Sequence, residues 1–304
     1  MTRPISVVLC TYNGSLFLAE QVRSILLQTY PITELIISDD ASTDNTYSLI
    51  QELARNDARI KFTRNESNLG FSANFSKAMC SASCELIAIS DQDDIWHERK
   101  LETLVFALAD TCSLIYCNSV QFQGQPIVDP VSNPRNRHIE GNDPKKIAIF
   151  NTISGHAMLI RKSLLGIALP VPTGVYYDWW LALWAMTIGQ IQFVPEVLVQ
   201  QRSHENNVTI QKHLSESDLR KQFRLMLNTH LANFTNIDTF KPSDQLFFKE
   251  LNTLWAASLK QKLNWKLFVF LMRHRHNIFY YKLRAFPIIS QFKHCFLFSF
   301  RFQL

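Results

Sequence analysis

The sequence lacks the features that mark secreted, membrane-spanning and thiolate-metal proteins. Its six cysteines form no CxxC pair, and the closest two, Cys80 and Cys84, have no further ligands nearby, which excludes a zinc site. No signal peptide precedes the first apolar segment. Uninterrupted apolar runs, such as residues 179–186 and 267–272, are far shorter than the ~20 residues of a membrane span. We therefore expect a cytoplasmic protein with reduced cysteines.

Acidic residues are absent after Glu250, so the end of the chain is strongly basic. Nine of the 31 Lys and Arg residues lie between Lys260 and the C-terminus, which leaves 22 against 26 acidic residues in residues 1–250. This asymmetry predicts two regions with different partners. Aromatic and basic residues without acids suit an anionic membrane surface, and a helical subdomain packed on the core is the alternative. The rest of the chain has no RNA-binding signature, so no nucleic acid partner is expected.

Strand-like and helix-like segments alternate through the first 200 residues. Strands are predicted at residues 5–10, 35–38, 60–63, 85–90, 113–120, 154–160 and 191–199, and helices at residues 15–27, 72–80, 99–109 and 178–186. Ser42 and Thr43 are the predicted caps of a further helix that runs to about residue 55. Four prolines in residues 126–144 predict a long loop. The alternation predicts an α/β protein with a parallel-type sheet covered by helices.

Polar residues follow three of the predicted strands directly, at residues 10–13, 39–40 and 91–94. Any one of these clusters is compatible with a cap or a turn. Three of them at one edge of a parallel sheet indicate a ligand site, because ligands bind beyond the carboxyl ends of the strands. In the last cluster, three carboxylates within four residues repel one another unless a cation lies between them. Their oxygens suit Mg²⁺ or Mn²⁺, which would act on a diphosphate as a Lewis acid.

Four segments stand in a characteristic order: "VVLCTYNG", "ISDDASTDNT", "NLGFSANFSKA" and "SDQDDIW". Over about residues 4–210 the sequence resembles bacterial family 2 glycosyltransferases with the GT-A fold. It looks most like the enzymes that build O-antigen, capsule or exopolysaccharide repeats. The resemblance implies a Rossmann-like GT-A domain with a mixed, mostly parallel sheet at residues 1–212. A helical, basic and aromatic extension would follow at residues 213–304.

The resemblance also implies which residues bind the nucleotide-sugar donor. They are Thr11 and Tyr12 in the base pocket, Asp40 on the imide N–H of uracil or thymine, Asp91 near the ribose and sugar hydroxyls, and Asn74. Asp39 is expected to support the loop or the ribose. Asp91 and Asp93 match the DxD signature, with Asp93 as the direct ligand of Mn²⁺ or Mg²⁺.

Three further assignments come from the later part of the resemblance. Asp178 in "VYYDWWLALW" matches the catalytic base, although Tyr177 replaces the usual preceding acid; the alternative for Asp178 is an N-cap of the helix that follows. His204 in "QQRSHENNVT" matches a further metal ligand, and a structural histidine is the alternative. Gly155 and His156 in "ISGHAMLIRK" resemble the segment that lines the acceptor side.

The implied activity is an inverting transfer from a UDP- or dTDP-sugar to a glycan acceptor linked to a polyprenyl diphosphate. The enzyme would work as a peripheral protein on the inner face of the cell membrane. A catalytically inactive nucleotide-sugar-binding scaffold is one alternative. A sugar nucleotidyltransferase is another, but residues 11–15 contain one glycine and no Lys or Arg for a phosphate loop. A dinucleotide-dependent dehydrogenase is disfavoured because no GxGxxG follows the first strand.

Overall fold

A single eight-stranded sheet organises the first two hundred residues of the chain. The computed structural model describes residues 3–131, 137–204, 215–280 and 286–300. The strands are β1 (Ile5–Thr11), β2 (Glu34–Asp39), β3 (Ile60–Arg64), β4 (Leu86–Ser90), β5 (Ile95–Trp96), β6 (Cys112–Phe122), β7 (Met158–Arg161) and β8 (Gln190–Arg202). Their order across the sheet is β3-β2-β1-β4-β7-β6-β8-β5.

The sheet is mixed and mostly parallel, as predicted. β1 pairs in parallel with β2 and β4, β2 with β3, and β6 with β8. β7 runs antiparallel to both β4 and β6, and β5 runs antiparallel to β8. The carboxyl ends of β1, β2, β3, β4, β6 and β8 therefore point to the same edge. All seven residues of β1 are buried, as a central strand covered on both faces requires.

Helices flank the sheet and continue beyond it. They are α1 (Leu18–Leu26), α2 (Thr46–Asn56), α3 (Phe71–Cys80), α4 (Lys100–Ala107), α5 (Lys162–Ala168), α6 (Tyr177–Ile188), α7 (Glu216–Phe234), α8 (Pro242–Ser258), α9 (Trp265–Arg273), α10 (Arg275–Ile278) and α11 (Pro287–Ser299). α1 shows why these segments are helical: Leu18, Val22 and Ile25 recur at helical spacing and are buried. None of the described helices is long and apolar enough to cross a membrane.

Four details differ from the sequence expectation. β5 and α5 were not predicted, and the strand expected at residues 154–160 begins with the 3-10 turn Gly155–Ala157. α2 begins at Thr46 with Asn45 as its N-cap, so Ser42 and Thr43 do not cap it. Ser42 instead accepts a hydrogen bond from the backbone N–H of Asn13, at 2.9 Å. It thereby holds the loop after β1 against the loop after β2.

The C-terminal helices pack on the sheet-bearing part of the chain. Phe234 of α7 is fully buried and lies 5.8 Å from Trp179 of α6 between ring centroids. His230 of α7 accepts a hydrogen bond from the backbone N–H of Tyr176 at 3.0 Å. Trp255 of α8 is also fully buried. Part of the aromatic content of this region therefore forms core, in line with the packing alternative considered above.

Candidate active site

The loops that follow β1, β2 and β4 are joined by hydrogen bonds at the carboxyl edge of the sheet. The side-chain oxygen of Gln92 accepts from the hydroxyl of Thr11 at 2.6 Å and from the backbone N–H of Tyr12 at 2.9 Å. The backbone N–H of Asp40 donates to the carbonyl of Thr11 at 2.8 Å. Thr11 is buried, whereas the ring of Tyr12 is 44% exposed. The three polar clusters of the sequence therefore form one surface.

Asp40 is held rigidly at this edge. Its carboxylate accepts hydrogen bonds from the side-chain amide of Asn65 at 2.8 Å and from the backbone N–H groups of Leu69 and Gly70, both at 2.9 Å. Gly70 has a φ of 82°, which glycine adopts without strain. A carboxylate has about four acceptor positions, so these three bonds leave one for a ligand N–H.

Asp39 and Asn74 lie inside the loop structure that supports Asp40. Asp39 is fully buried, accepts from Ser42 and pairs with the Nε of Arg64 at 3.3 Å, so it supports the loop as expected. Asn74 is buried, and its side-chain oxygen accepts from the hydroxyl of Ser38 at 2.6 Å and from Asn65 at 3.0 Å. Its contact with a donor stays a prediction.

The two predicted metal ligands come together from strands far apart in the sequence. Nε2 of His204, directly after β8, lies 2.7 Å from a carboxylate oxygen of Asp93, directly after β4. Burial and the charge of Asp91 raise the pKa of the Asp93 carboxyl, and the contact with His204 lowers it in part. An additional cation at this position would relieve the remaining electrostatic cost of ionising Asp93.

A second acidic group lies beside the first. Nδ1 of His156 is 3.4 Å from a carboxylate oxygen of Asp91 and 3.5 Å from one of Asp94. Burial raises the pKa of Asp94 to about 7, helped by the charges of Asp91 and Asp93. Burial alone would lower the pKa of His156, but Asp94 and Asp91 raise it above its usual value. The imidazole of His156 therefore lies between two acids whose charges favour its protonated form.

Both groups offer donor atoms to a cation. One ligand atom each from Asp91, Asp94 and His156 lie within 4.8 Å of one another, so these three residues form one candidate. Asp93 and His204 form the other, with a carboxylate oxygen and an imidazole nitrogen already in contact. Carboxylate oxygens suit Mg²⁺ and Mn²⁺, so the residues present fit such an ion.

Asp178 lies in the first turn of α6, within electrostatic range of Asp91. Burial raises the pKa of Asp178 to about 6, and the charge of Asp91 adds to this effect, while the backbone N–H of Trp179 lowers it. That N–H donates to the Asp178 carboxylate at 2.7 Å. The N-cap of α6 is Tyr176, so the interpretation of Asp178 as the N-cap is wrong.

Tyr177 packs against the segment that resembles an acceptor site. Its ring lies 4.3 Å from that of Phe75. A Cβ atom on Gly155 would lie only 2.0 Å from the Tyr177 hydroxyl, so this approach requires glycine. The residue that replaces the usual acid therefore fills space beside Gly155.

Comparisons with known proteins identify the family. The model of glycosyl transferase family 2 matches residues 6–166, more than half of the chain. The chain belongs to glycosyl transferase family 2. An uncharacterized glycosyltransferase of Haemophilus influenzae is 26% identical over 250 residues, covering 77% of this chain and 76% of the relative. The UDP-Glc:alpha-D-GlcNAc-diphosphoundecaprenol beta-1,3-glucosyltransferase WfgD of Escherichia coli is 33% identical over 132 residues, covering 43% and 51%.

Solved structures of similar fold support the GT-A assignment. S. aureus TarS, residues 1–349 with UDP-GlcNAc, gives a TM-score of 0.62 at 18% identity, covering 90% of this chain and 81% of that one. The mannosyltransferase PcManGT of Pyrobaculum calidifontis, with GDP-Man and Mn²⁺, gives 0.58 at 18% identity, covering 98% and 86%. This glycosyltransferase therefore has the GT-A fold that its motifs predicted.

Three further residues contribute to the site: Gln92 and Lys100 had no predicted role, and Arg202, which the sequence left as a phosphate contact or a solvated side chain, is buried. Gln92 connects the β1 and β4 loops, and Arg202 donates from Nε to the Asp93 carbonyl at 3.1 Å and from Nη2 to Glu20 at 2.5 Å. Lys100 is fully buried and donates to the His156 carbonyl at 2.6 Å. The only sequence signal was the position of Gln92 between acids. The partners of Arg202 and Lys100 lie far away in sequence.

Proposed function

We propose that this glycosyltransferase moves a sugar from a UDP- or dTDP-sugar to a glycan acceptor carried on a polyprenyl diphosphate, with inversion at the anomeric carbon. The product would belong to a bacterial surface polysaccharide, assembled at the inner face of the cell membrane. TarS and WfgD, whose names state a UDP-sugar and a diphosphoundecaprenol-linked acceptor, support the donor and acceptor classes. The basic C-terminal region supports the location.

The donor side is formed by the loops after β1, β2 and β4. Thr11 and Tyr12 line the base pocket, and Asp40 uses its remaining acceptor position for the imide N–H of the base. Asp91 hydrogen bonds ribose and sugar hydroxyls, and its partial exposure leaves it accessible for this. Asn74 contributes to the same pocket, through Asn65 at 3.0 Å, by fixing the loop that holds Asp40.

Asp93 and His204 hold a Mn²⁺ or Mg²⁺ ion. When bound, such an ion neutralises charge that develops on the leaving diphosphate. Arg202 fixes the Asp93 backbone by donating from Nε to its carbonyl. His156 lies between Asp91 and Asp94, at 3.4 and 3.5 Å, beside this pair of ligands.

Asp178 accepts the proton of the acceptor hydroxyl. The hydroxyl oxygen then bonds to the anomeric carbon on the face opposite the diphosphate, and the carbon–oxygen bond to the diphosphate breaks with its electron pair. A UDP-α-sugar gives a β-linked product by this single displacement. The raised pKa of Asp178, about 6, makes its carboxylate a stronger base than an ordinary aspartate, yet one that is ionised at neutral pH.

The observation that carries this proposal is the contact between Asp93 and His204, together with the charge of Asp91, which acts on both Asp93 and Asp178. The test is nucleotide release from a panel of UDP- and dTDP-sugars with a lipid-linked acceptor mixture and Mn²⁺. We expect Asp178→Asn to lower turnover ~10²–10⁴-fold while donor binding persists. Asp93→Asn and His204→Gln should each raise the Mn²⁺ concentration needed for half-maximal release.

Asp110→Asn is the matched control, because Asp110 is exposed near the start of β6, at the opposite edge of the sheet. It should leave both turnover and metal requirement unchanged. Donor binding without nucleotide release, under all acceptor conditions, would support the inactive scaffold instead. Near-normal turnover by folded Asp178→Asn would remove the base assignment, and an α-linked product from a UDP-α-sugar would remove inversion.

A further inference from the structure

The end of the chain carries exposed apolar side chains on two neighbouring helices. On α9 these are Trp265, 60% exposed, and Val269; on α11 they are Ile288, Ile289, Phe292 and Phe296, of which Ile289 is 69% and Phe292 52% exposed. We call these six residues the α9–α11 surface. Large apolar side chains rarely stay in water together without a partner.

The two helices form one continuous surface. The ring of Trp265 stacks on Phe268 at 4.7 Å between centroids, and Phe268 contacts Phe292 edge-on at 5.4 Å. The backbone N–H of Asn264 also donates to the carbonyl of Ser299 at 2.9 Å. Burial of Leu267, Phe270 and Cys295 anchors the other faces of both helices. The exposed apolar residues are therefore presented by a fixed scaffold.

Cations border this surface, together with one exposed acid, Glu250 of α8, which lines a groove with Trp265, Lys266 and Val269. Lys262, Lys266, Arg273 and Lys293 are exposed, and two of them adjoin Trp265 and Phe292 in sequence. No Asp or Glu follows Glu250 anywhere in the chain. An acidic or mixed-charge protein surface would complement the cations but not the exposed apolar side chains. A lipid bilayer complements both, because its anionic headgroups lie above an apolar layer.

We propose that the α9–α11 surface binds the face of an anionic lipid bilayer. Ile289, Phe292 and Trp265 enter the headgroup–acyl boundary, while Lys266, Lys293 and their neighbours contact lipid phosphates. The contact is peripheral, because none of the described helices is long and apolar enough to span a bilayer. This surface is separate from the acidic site, so the proposal does not rest on the proposed chemistry.

The test is flotation of the full-length protein with phosphatidylcholine vesicles and with vesicles that also contain phosphatidylglycerol. Truncation is unsuitable, because Trp255 and the packed faces of α9 and α11 belong to the core. We expect binding to anionic vesicles at least tenfold tighter than to neutral ones. Ile289→Ser/Phe292→Ser should weaken it at least tenfold, and Lys266→Gln/Lys293→Gln about fivefold per cation, with steep loss of binding in high salt.

Phe106→Ser and Arg55→Gln are the matched controls, since both residues are exposed on helices of the sheet-bearing part. They should bind vesicles like the unchanged protein. Melting temperatures of all variants check that folding is intact. Equal binding to neutral and anionic vesicles, or unchanged binding by both double variants, would overturn the proposal. Nucleotide release on a water-soluble acceptor should be unaffected by these variants, which separates this outcome from failure of the proposed reaction.

Discussion

The acids at the carboxyl edge of the sheet differ in chemistry because their surroundings differ. Asp40 accepts three hydrogen bonds from its surrounding loop, whereas Asp94 is buried beside two other acids and has a pKa raised to about 7. The pKa of Asp178 is raised to about 6, mainly by burial. Raised carboxyl pKa values in one cleft are typical of functional sites, since a charge kept out of water costs folding free energy.

The raised pKa of Asp178 predicts how activity depends on pH. A base must be unprotonated, so kcat/KM should fall about tenfold per pH unit below about 6 and level off above about 7. The folded state binds the proton more tightly than the unfolded chain, so ionisation of Asp178 destabilises it as pH rises from about 4 to about 6. Asp178→Asn should accordingly unfold at a higher temperature than the unchanged protein at pH 7.5 and at the same temperature below pH 4.

Donor binding measured over the same pH range is the control, because donor affinity should not fall at acid pH in the way that kcat/KM does. A flat kcat/KM between pH 5 and 7 would contradict the role of Asp178 as base. A lower melting temperature for Asp178→Asn at pH 7.5 would contradict the electrostatic cost of its ionised form.

Glu34, at the start of β2, connects neighbouring strands through hydrogen bonds to its carboxylate. Its carboxylate accepts from the hydroxyl of Ser6 on β1 at 2.6 Å, from Ser83 before β4 at 2.8 Å, and from Lys61 on β3 at 2.6 Å. Burial alone would raise the pKa of Glu34, but these donors lower it to about 2. One side chain thus joins β1, β2, β3 and the segment before β4 at the edge of the sheet opposite the candidate active site.

Replacing Glu34 should weaken the sheet more than replacing its ion-pair partner. Glu34→Gln leaves buried donors poorly paired, so we expect a loss of ~1–3 kcal/mol in the free energy of unfolding. Lys61→Gln is the control and should cost much less, because the Lys61 side chain is 65% exposed and solvent screens its charge. Urea unfolding at pH 7 measures both. The stabilisation from Glu34 is present above about pH 4.5 and lost as pH falls toward about 2. Equal losses for the two variants would contradict this role.

The catalytic sheet and the C-terminal helices form one packed unit. Phe234 of α7 meets Trp179 and Trp180 of α6, the helix that carries Asp178. Near the long loop, the side chain of Asp143 accepts from Asn277 of α10. The position of Asp178, the proposed base, therefore depends on helices that contribute nothing else to the described acidic site.

Phe234→Ala should test this dependence on the whole molecule. Emptying this buried position should cost ~3–5 kcal/mol. Because the packing is continuous, unfolding followed by far-ultraviolet circular dichroism and by tryptophan fluorescence should give one coincident transition at lower denaturant. Thr253→Ala, at an exposed hydroxyl of α8, is the control and should change little. Two separate transitions would show that the C-terminal helices fold independently.

The local pattern of apolar and polar residues determined most of the strands and helices of the sheet-bearing part. Residues 10–13, 39–40 and 91–94 each follow an apolar run of strand length. Their sequence positions therefore predicted that they lie at one edge of the sheet. This works because strand direction and burial follow from short-range periodicity. The same reasoning missed β5, whose two residues exist as a strand only by pairing with β8.

Only the tertiary structure determined which side chains of the site contact one another. His204 reaches Asp93, His156 lies between Asp91 and Asp94, and Tyr177 fills the space beside Gly155. Each of these contacts joins residues distant in sequence, and neither propensity nor periodicity encodes such distances. The pKa values that set the chemistry come from burial and from neighbouring charge, so they exist only once the chain has folded.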